Sequence, residues 1–128
     1  MIIESIELKN YRNYENLQLE LSPGTNIFYG DNAQGSKDKE MIRFGEDEAH
    51  IKLTVRKQDV PYRIDMHLKK NKAKGIAING IPIRKASELF GIVNVVFFSP
   101  EDLNIIKNGP AERRRFLDLE LCQLNKLY

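Results

Sequence analysis

Hydrophobic and polar residues alternate in several separate stretches of the first hundred positions. Ile6 and Leu8 face one way and Ser5, Glu7 and Lys9 the other, the pattern of a half-buried strand. Asn10-Tyr11-Arg12-Asn13 reads as a turn. Leu17, Leu19 and Leu21 alternate with Gln18 and Glu20, so a second strand closes a hairpin. Ser22-Pro23-Gly24 has turn chemistry. Thr25 to Tyr29 is expected to form a short strand that runs straight into Gly30-Asp31-Asn32-Ala33-Gln34-Gly35.

Ser36 to Glu48 is polar and without a period. Two alternating strands follow. Ala49, Ile51, Leu53 and Val55 oppose His50, Lys52, Thr54 and Arg56, and Tyr62, Ile64, Met66 and Leu68 oppose Arg63, Asp65, His67 and Lys69, with Gln58-Asp59 in the turn. A basic run from Lys69 to Gly75 links to a short strand, Ile76 to Ile78. Asn79-Gly80 is a hairpin turn signal, and Ile81 to Ile83 closes that hairpin. Ser87 to Phe90 suits a short helix. Val93 to Phe98 is apolar apart from Asn94 and is expected to be a strand buried on both faces. Ser99 and Pro100 then suit the cap and first position of a helix, with Glu101 and Asp102 at its positive end. That helix stops at Asn108-Gly109, and Pro110 starts another. Its apolar residues Leu117, Leu121, Leu124 and Tyr128 recur at helical spacing. The stripe has no stop signal at Tyr128, so the sequence reads as a piece of a longer chain. No repeat or linker divides residues 1–128, and the expectation is a single α/β domain.

Composition narrows the function classes. The 128 residues carry 20 basic and 18 acidic side chains, a balance too even to argue for nucleic acid from charge alone. The lone cysteine, Cys122, excludes an intrachain disulfide and a cysteine-rich zinc site, and inside a helical pattern it reads as a small hydrophobe. His50 and His67 have no ligand spacing between them in the sequence, and each is expected on the polar side of its strand, with no metal site. No stretch approaches the ~18 apolar residues of a membrane span, so the expected address is the cytoplasm.

Candidate chemistry centres on Gly30 to Gly35. Two glycines bracket a loop after a strand, the first half of a P-loop, whose backbone N–H groups wrap phosphate before a helix aims its positive end at the same anion. The motif requires Lys and then Ser or Thr after the second glycine. Here Ser36-Lys37 reverses that order. One residue along a helix turns a side chain by about 100°, so Lys37 does not replace the missing lysine.

A second constellation adds an identity to this loop. Pro100-Glu101-Asp102, followed by Gly109-Pro110 and by Arg113-Arg114-Arg115-Phe116-Leu117-Asp118, closely resembles the signature of the RecF family of bacterial DNA replication and repair proteins. Leu8 to Tyr14 resembles that family's first strand and turn, and Tyr29 to Gly35 its Walker A loop. Asn108 departs from the family's usual glycine, although Asn also tolerates a left-handed backbone.

The resemblance implies a partial ABC-type ATPase head lobe, with a mixed β-sheet, hairpins and C-terminal helices, akin to SMC heads. It implies ATP and Mg²⁺ as cofactors of the intact family, an ATP-dependent homodimer, DNA and other recombination mediators as partners, and work in DNA repair, DNA damage and the SOS response near the nucleoid. By the same resemblance the phosphate cradle is Gly30, Asp31, Asn32, Ala33, Gln34 and Gly35, with Asn32 near the terminal phosphate and Arg12 a nucleotide contact. Family members continue after Gly35 with Lys-Thr and a long apolar helix. That helix is missing here, which places a deletion junction near residues 35–37 and implies a chain with no catalytic residue, no ATPase activity and no nucleotide bound. Uncovering the sheet near Ile27, Val95 and Phe97 would favour self-association.

For DNA, the candidates are Lys69, Lys70, Lys72 and Lys74, with Arg84 and Lys85 on the adjoining hairpin; a solvated loop is the alternative. Arg113, Arg114 and Arg115 fan over about 200° of a helix and cannot all face one partner. Two rival functions stay open: a structural or partner-binding module with no nucleotide role, and a shorter P-loop enzyme with a substitute lysine.

Overall fold

The computed structural model describes residues 1–28, 37–95 and 109–124. It divides into two compact units, residues 1–86 and 87–128.

The first unit is a six-stranded sheet. Its strands are β1 (Ile2–Tyr11), β2 (Tyr14–Glu20), β3 (Glu48–Lys57), β4 (Val60–Lys69), β5 (Lys72–Ile78) and β6 (Ile81–Pro82). They lie in the order β2-β1-β3-β4-β5-β6, and every ladder is antiparallel. Register turns the alternation of the sequence into transverse rows, because cross-strand partners share a face. Leu17, Leu8, Ile51, Met66 and Ile76 form one apolar row, and Leu19, Ile6, Leu53, Ile64 and Ile78 the next. The opposite face carries Asn16, Lys9, His50, His67 and Gly75 in one row and Gln18, Glu7, Lys52, Asp65 and Ala77 in another.

The core lies at one end of the apolar face. Ile42, Ala49 and Leu68 are buried together, flanked by Tyr11, Met41, Ile51 and Met66. Val55 and Ile64 are buried further along, whereas Ile6, Leu8, Leu17, Leu19 and Leu53 are only half-buried. On the polar face, Glu7–Lys52 (2.7 Å) and Glu4–Arg56 (2.6 Å) tie β1 to β3. Both pairs are partly exposed, so solvent and salt screen them and their contribution to stability is small.

Two hairpin turns need left-handed backbone at both central residues. Gln58 and Asp59 (φ 49° and 63°) join β3 to β4, and Asn79 and Gly80 (φ 51° and 82°) join β5 to β6. Asn79 also accepts a hydrogen bond from the Arg63 backbone N–H at 2.8 Å, which extends the β4–β5 ladder. A Cβ on Gly80 would sit 3.3 Å from Nη2 of Arg63, a contact the long side chain can relieve, but the positive φ remains. Gly80→Ala is therefore expected to cost about 1–2 kcal/mol, read as a lower urea midpoint.

Two expected strands differ. Thr25 to Phe28 joins no ladder: Nδ2 of Asn26 donates to the carbonyls of Ser22 (2.9 Å) and Gly24 (3.2 Å), and Oδ1 accepts from the Ser22 N–H. Such local bonds compete with strand pairing. Ile27 and Phe28 are exposed as a result, at 83% and 62%. Val93 to Val95 is also outside any strand, and Val96 to Phe98 lies beyond the described residues. The basic run after Lys69 is shorter as a loop than the sequence implies, since β5 begins at Lys72 and pairs it with Lys69.

Among the described residues, a 3-10 turn (Ala86–Leu89) begins at the unit boundary, and in the second unit a helix, α1 (Pro110–Leu124), starts at Pro110 as expected. Its stripe is not a core. Leu117 and Leu124 are 55% and 79% exposed, and Leu121 and Cys122 are half-buried. Helical period sets which residues share a face, but burying that face requires a covering layer. The Val95 N–H donates to Oε1 of Gln123 at 2.7 Å, fastening the segment before the signature to the helix.

Candidate functional site

Chemistry in this chain was expected at the glycine loop, with Arg12 as a nucleotide contact. Gly30 to Gly35 lie outside the described residues, as do Pro100, Glu101 and Asp102. The chain is described again from Lys37, where Asp38–Met41 makes a single 3-10 turn. The Lys37 N–H donates to the Glu40 carboxylate at 3.0 Å, and the Glu40 N–H donates back to the Lys37 carbonyl at 2.8 Å. Four residues of 3-10 helix do not supply the aligned N–H groups and dipole that a phosphate-binding helix presents.

The β1–β2 turn is fastened to this segment. Tyr11 bridges Ile42, the Arg12 N–H donates to the Met41 carbonyl, and the Arg43 N–H donates to the Asn10 carbonyl, both at 2.8 Å. The Arg12 guanidinium donates to the Glu40 carbonyl at 3.2 Å. Asn10 and Arg12 both take positive φ, 51° and 50°. The turn thus holds Arg12 beside the chain just after the loop. That arginine is committed to a backbone carbonyl there.

The basic cluster is largely neutralised. Lys70 pairs with Asp47 at 3.1 Å, Lys74 with Asp38 at 3.2 Å, and Lys69 lies 3.6 Å from Glu48. Lys72 is exposed. Arg84 and Lys85 follow β6. Gly109 directly precedes α1, Pro110, Arg113, Arg114, Phe116 and Asp118 lie along its first nine residues, and Phe116 is 42% exposed.

One grouping escaped the sequence reading. β3 and β4 put His50 directly opposite His67, with ring centroids 3.9 Å apart and planes 24° from parallel. Nε2 of His67 lies 2.8 Å from Oε2 of Glu48, which is two residues from His50 on the same face. That hydrogen bond holds the Glu48 carboxyl below its ordinary range, while burial and then His67 lower the pKa of His50.

No family model matches the chain. Curated relatives do. It is 66% identical to the DNA replication and repair protein RecF of Agathobacter rectalis and 61% identical to that of Lachnoclostridium phytofermentans. Both matches take in 100% of this chain and 41% of the relative, so the chain spans about two fifths of those proteins. The alignments run over 147 positions and the chain has 128 residues, so 19 positions of the matched span have no counterpart here. Among solved structures, the recombination mediator protein RecF with ATP superposes with a TM-score of 0.79 and 33% identity, over 99% of this chain and 39% of that one. A structure from work on ATP-driven dimerisation of SMC ATPases shares the fold, with a TM-score of 0.63 and 19% identity over 92% of this chain and 98% of that one.

Proposed function

This chain belongs to the RecF family and corresponds to the N-terminal part of its members, and from that premise we propose that it is a nucleotide-binding head lobe whose phosphate-binding loop has been interrupted, so that it neither holds nor hydrolyses ATP. One observation carries the reading. The relatives have 19 more positions within the matched span, and the described chain resumes after the loop with one 3-10 turn where a phosphate-binding helix belongs. The junction is assigned to residues 35–37. In sequence, Gly30 to Gly35 keep the glycine spacing of the cradle but are not followed by the lysine that neutralises phosphate and the hydroxyl that holds Mg²⁺.

The intact family's roles come to this chain as proposals. They are ATP-dependent pairing of two heads, contact with DNA and with other recombination mediators, and support of repair and the SOS response in the cytoplasm beside the nucleoid. No helix of the described residues is long and apolar enough to cross a membrane. Self-association fits the exposure of Ile27, Phe28 and Phe44, at 83%, 62% and 102%.

DNA contact is assigned to Lys69, Lys70, Lys72 and Lys74, aided by Arg84 and Lys85. Binding must release three of these lysines from Glu48, Asp47 and Asp38, so the affinity is expected at the non-specific level, about 10⁻⁴ to 10⁻⁶ M. If about four phosphates are neutralised, log affinity falls with log salt at a slope of roughly −3 to −4. A salt titration against one labelled oligonucleotide, followed by sedimentation to report self-association, checks both. Replacing the four lysines with Ala should weaken binding and flatten the slope. Unchanged binding in that variant, with loss on replacing Arg113 and Arg114, would move the DNA contact to α1.

A further inference from the structure

We propose that Glu48, His50 and His67 form a binding site for a divalent transition-metal ion, Zn²⁺ being the probe of choice, on the polar face of the sheet. Antiparallel pairing creates the site. Glu48 and His50 are two residues apart on β3 and so share a face, and His67 is the direct cross-strand partner of His50. One donor atom from each residue lies within 4.8 Å of the others. With metal–donor bonds of about 2.0–2.2 Å, donors around a tetrahedral ion stand about 3.3–3.5 Å apart. Small changes in side-chain torsion close that difference, swinging the imidazoles out of their stack.

The surroundings leave space for an ion. The next residue in the row beyond His67 is Gly75, and a Cβ built there meets nothing within 4 Å. The row of Asn16, Lys9, His50, His67 and Gly75 lines a concavity of about 580 Å³ together with Lys52 and Asp65, and Glu48 stands outside that lining. Two imidazoles and a carboxylate leave one position of a tetrahedral ion for water, and this donor set suits borderline metals rather than Mg²⁺ or Ca²⁺. When Nε2 of His67 takes the ion, the bond to Glu48 is replaced by shared coordination, and the imidazole proton moves to Nδ1. Charge works against high affinity. Lys9 lies opposite His50, and Lys69 lies 3.6 Å from Glu48. The next row is balanced, with Lys52 paired to Glu7 and Asp65 to Arg63.

Zn²⁺ titration into the untagged 128-residue chain, followed by calorimetry, is the test. One ion per chain is expected, with binding lost as pH falls and protons take the imidazoles. His50→Ala, His67→Ala and Glu48→Gln should each weaken binding by more than about tenfold. Cys122→Ser should leave it unchanged. The chain has two histidines, so their ring resonances provide a readout in the unmutated protein that does not depend on variants folding. Both should shift together on adding Zn²⁺ and broaden with Co²⁺. The proposal is overturned if Zn²⁺ does not bind, if both ring signals stay in place, or if binding survives both histidine variants and disappears with Cys122→Ser.

Discussion

No ATP turnover above a protein-free control is expected from this chain at any Mg²⁺ concentration, and Lys37→Ala should change nothing. Phosphoryl transfer depends on positioned charge: a lysine on the terminal phosphates, a hydroxyl on the metal, and a helix whose N–H groups face the anion. Ser36-Lys37 follows Gly35 in the wrong order. Lys37 is extended (φ −70°, ψ 153°), and the next four residues form only one 3-10 turn. Arg12, the remaining cation assigned to nucleotide, donates to the Glu40 carbonyl. Coupled-enzyme and phosphate-release assays on the same preparation measure the rate. Mg²⁺-dependent turnover that disappears in Lys37→Ala would make the chain a shorter P-loop enzyme with a substitute lysine.

Leu68→Ala should lower stability by about 2–5 kcal/mol, a large share of the ~5–15 kcal/mol available to a small domain. Leu68 is 3% exposed and packs with Ile42 and Ala49, in a core that also holds the Tyr11–Ile42 bridge. The cavity would therefore loosen the sheet and the segment after the glycine loop together. Leu53→Ala, at a half-buried position in the same sheet, should cost less. Urea unfolding followed by circular dichroism checks this, with the midpoint falling and the slope held. Equal losses for the two variants would mean that the apolar face is covered more evenly than the burial indicates.

The hairpins were legible because period-two alternation and turn chemistry point the same way. Gln58-Asp59 and Asn79-Gly80 sit where the alternation breaks, and both adopt positive φ. The partial ATPase-lobe fold was legible for a different reason: Leu8 to Tyr14 and the stretch from Pro100 to Asp118 resemble a family. Thr25 to Phe28 misled because its apolar residues look like a strand, whereas Asn26 closes the segment on itself. The fate of α1's stripe was not legible, since period says nothing of the layer that covers it. The histidine pair was available in principle. His50 and His67 each lie eight residues outside the Gln58-Asp59 turn, and that two-residue turn sets them opposite one another. Searching one strand at a time for ligand spacing hides a site formed by register between two.

Equilibrium binding of a fluorescent ATP analogue, compared between this chain and a version carrying the Agathobacter rectalis segment inserted after Gly35, reports whether the phosphate-binding loop is interrupted. The inserted chain is predicted to bind at least about tenfold more tightly, as recovery of one charge-assisted phosphate contact requires. Equal affinity in the two proteins would contradict an interrupted loop, because the loop would then be competent as it stands.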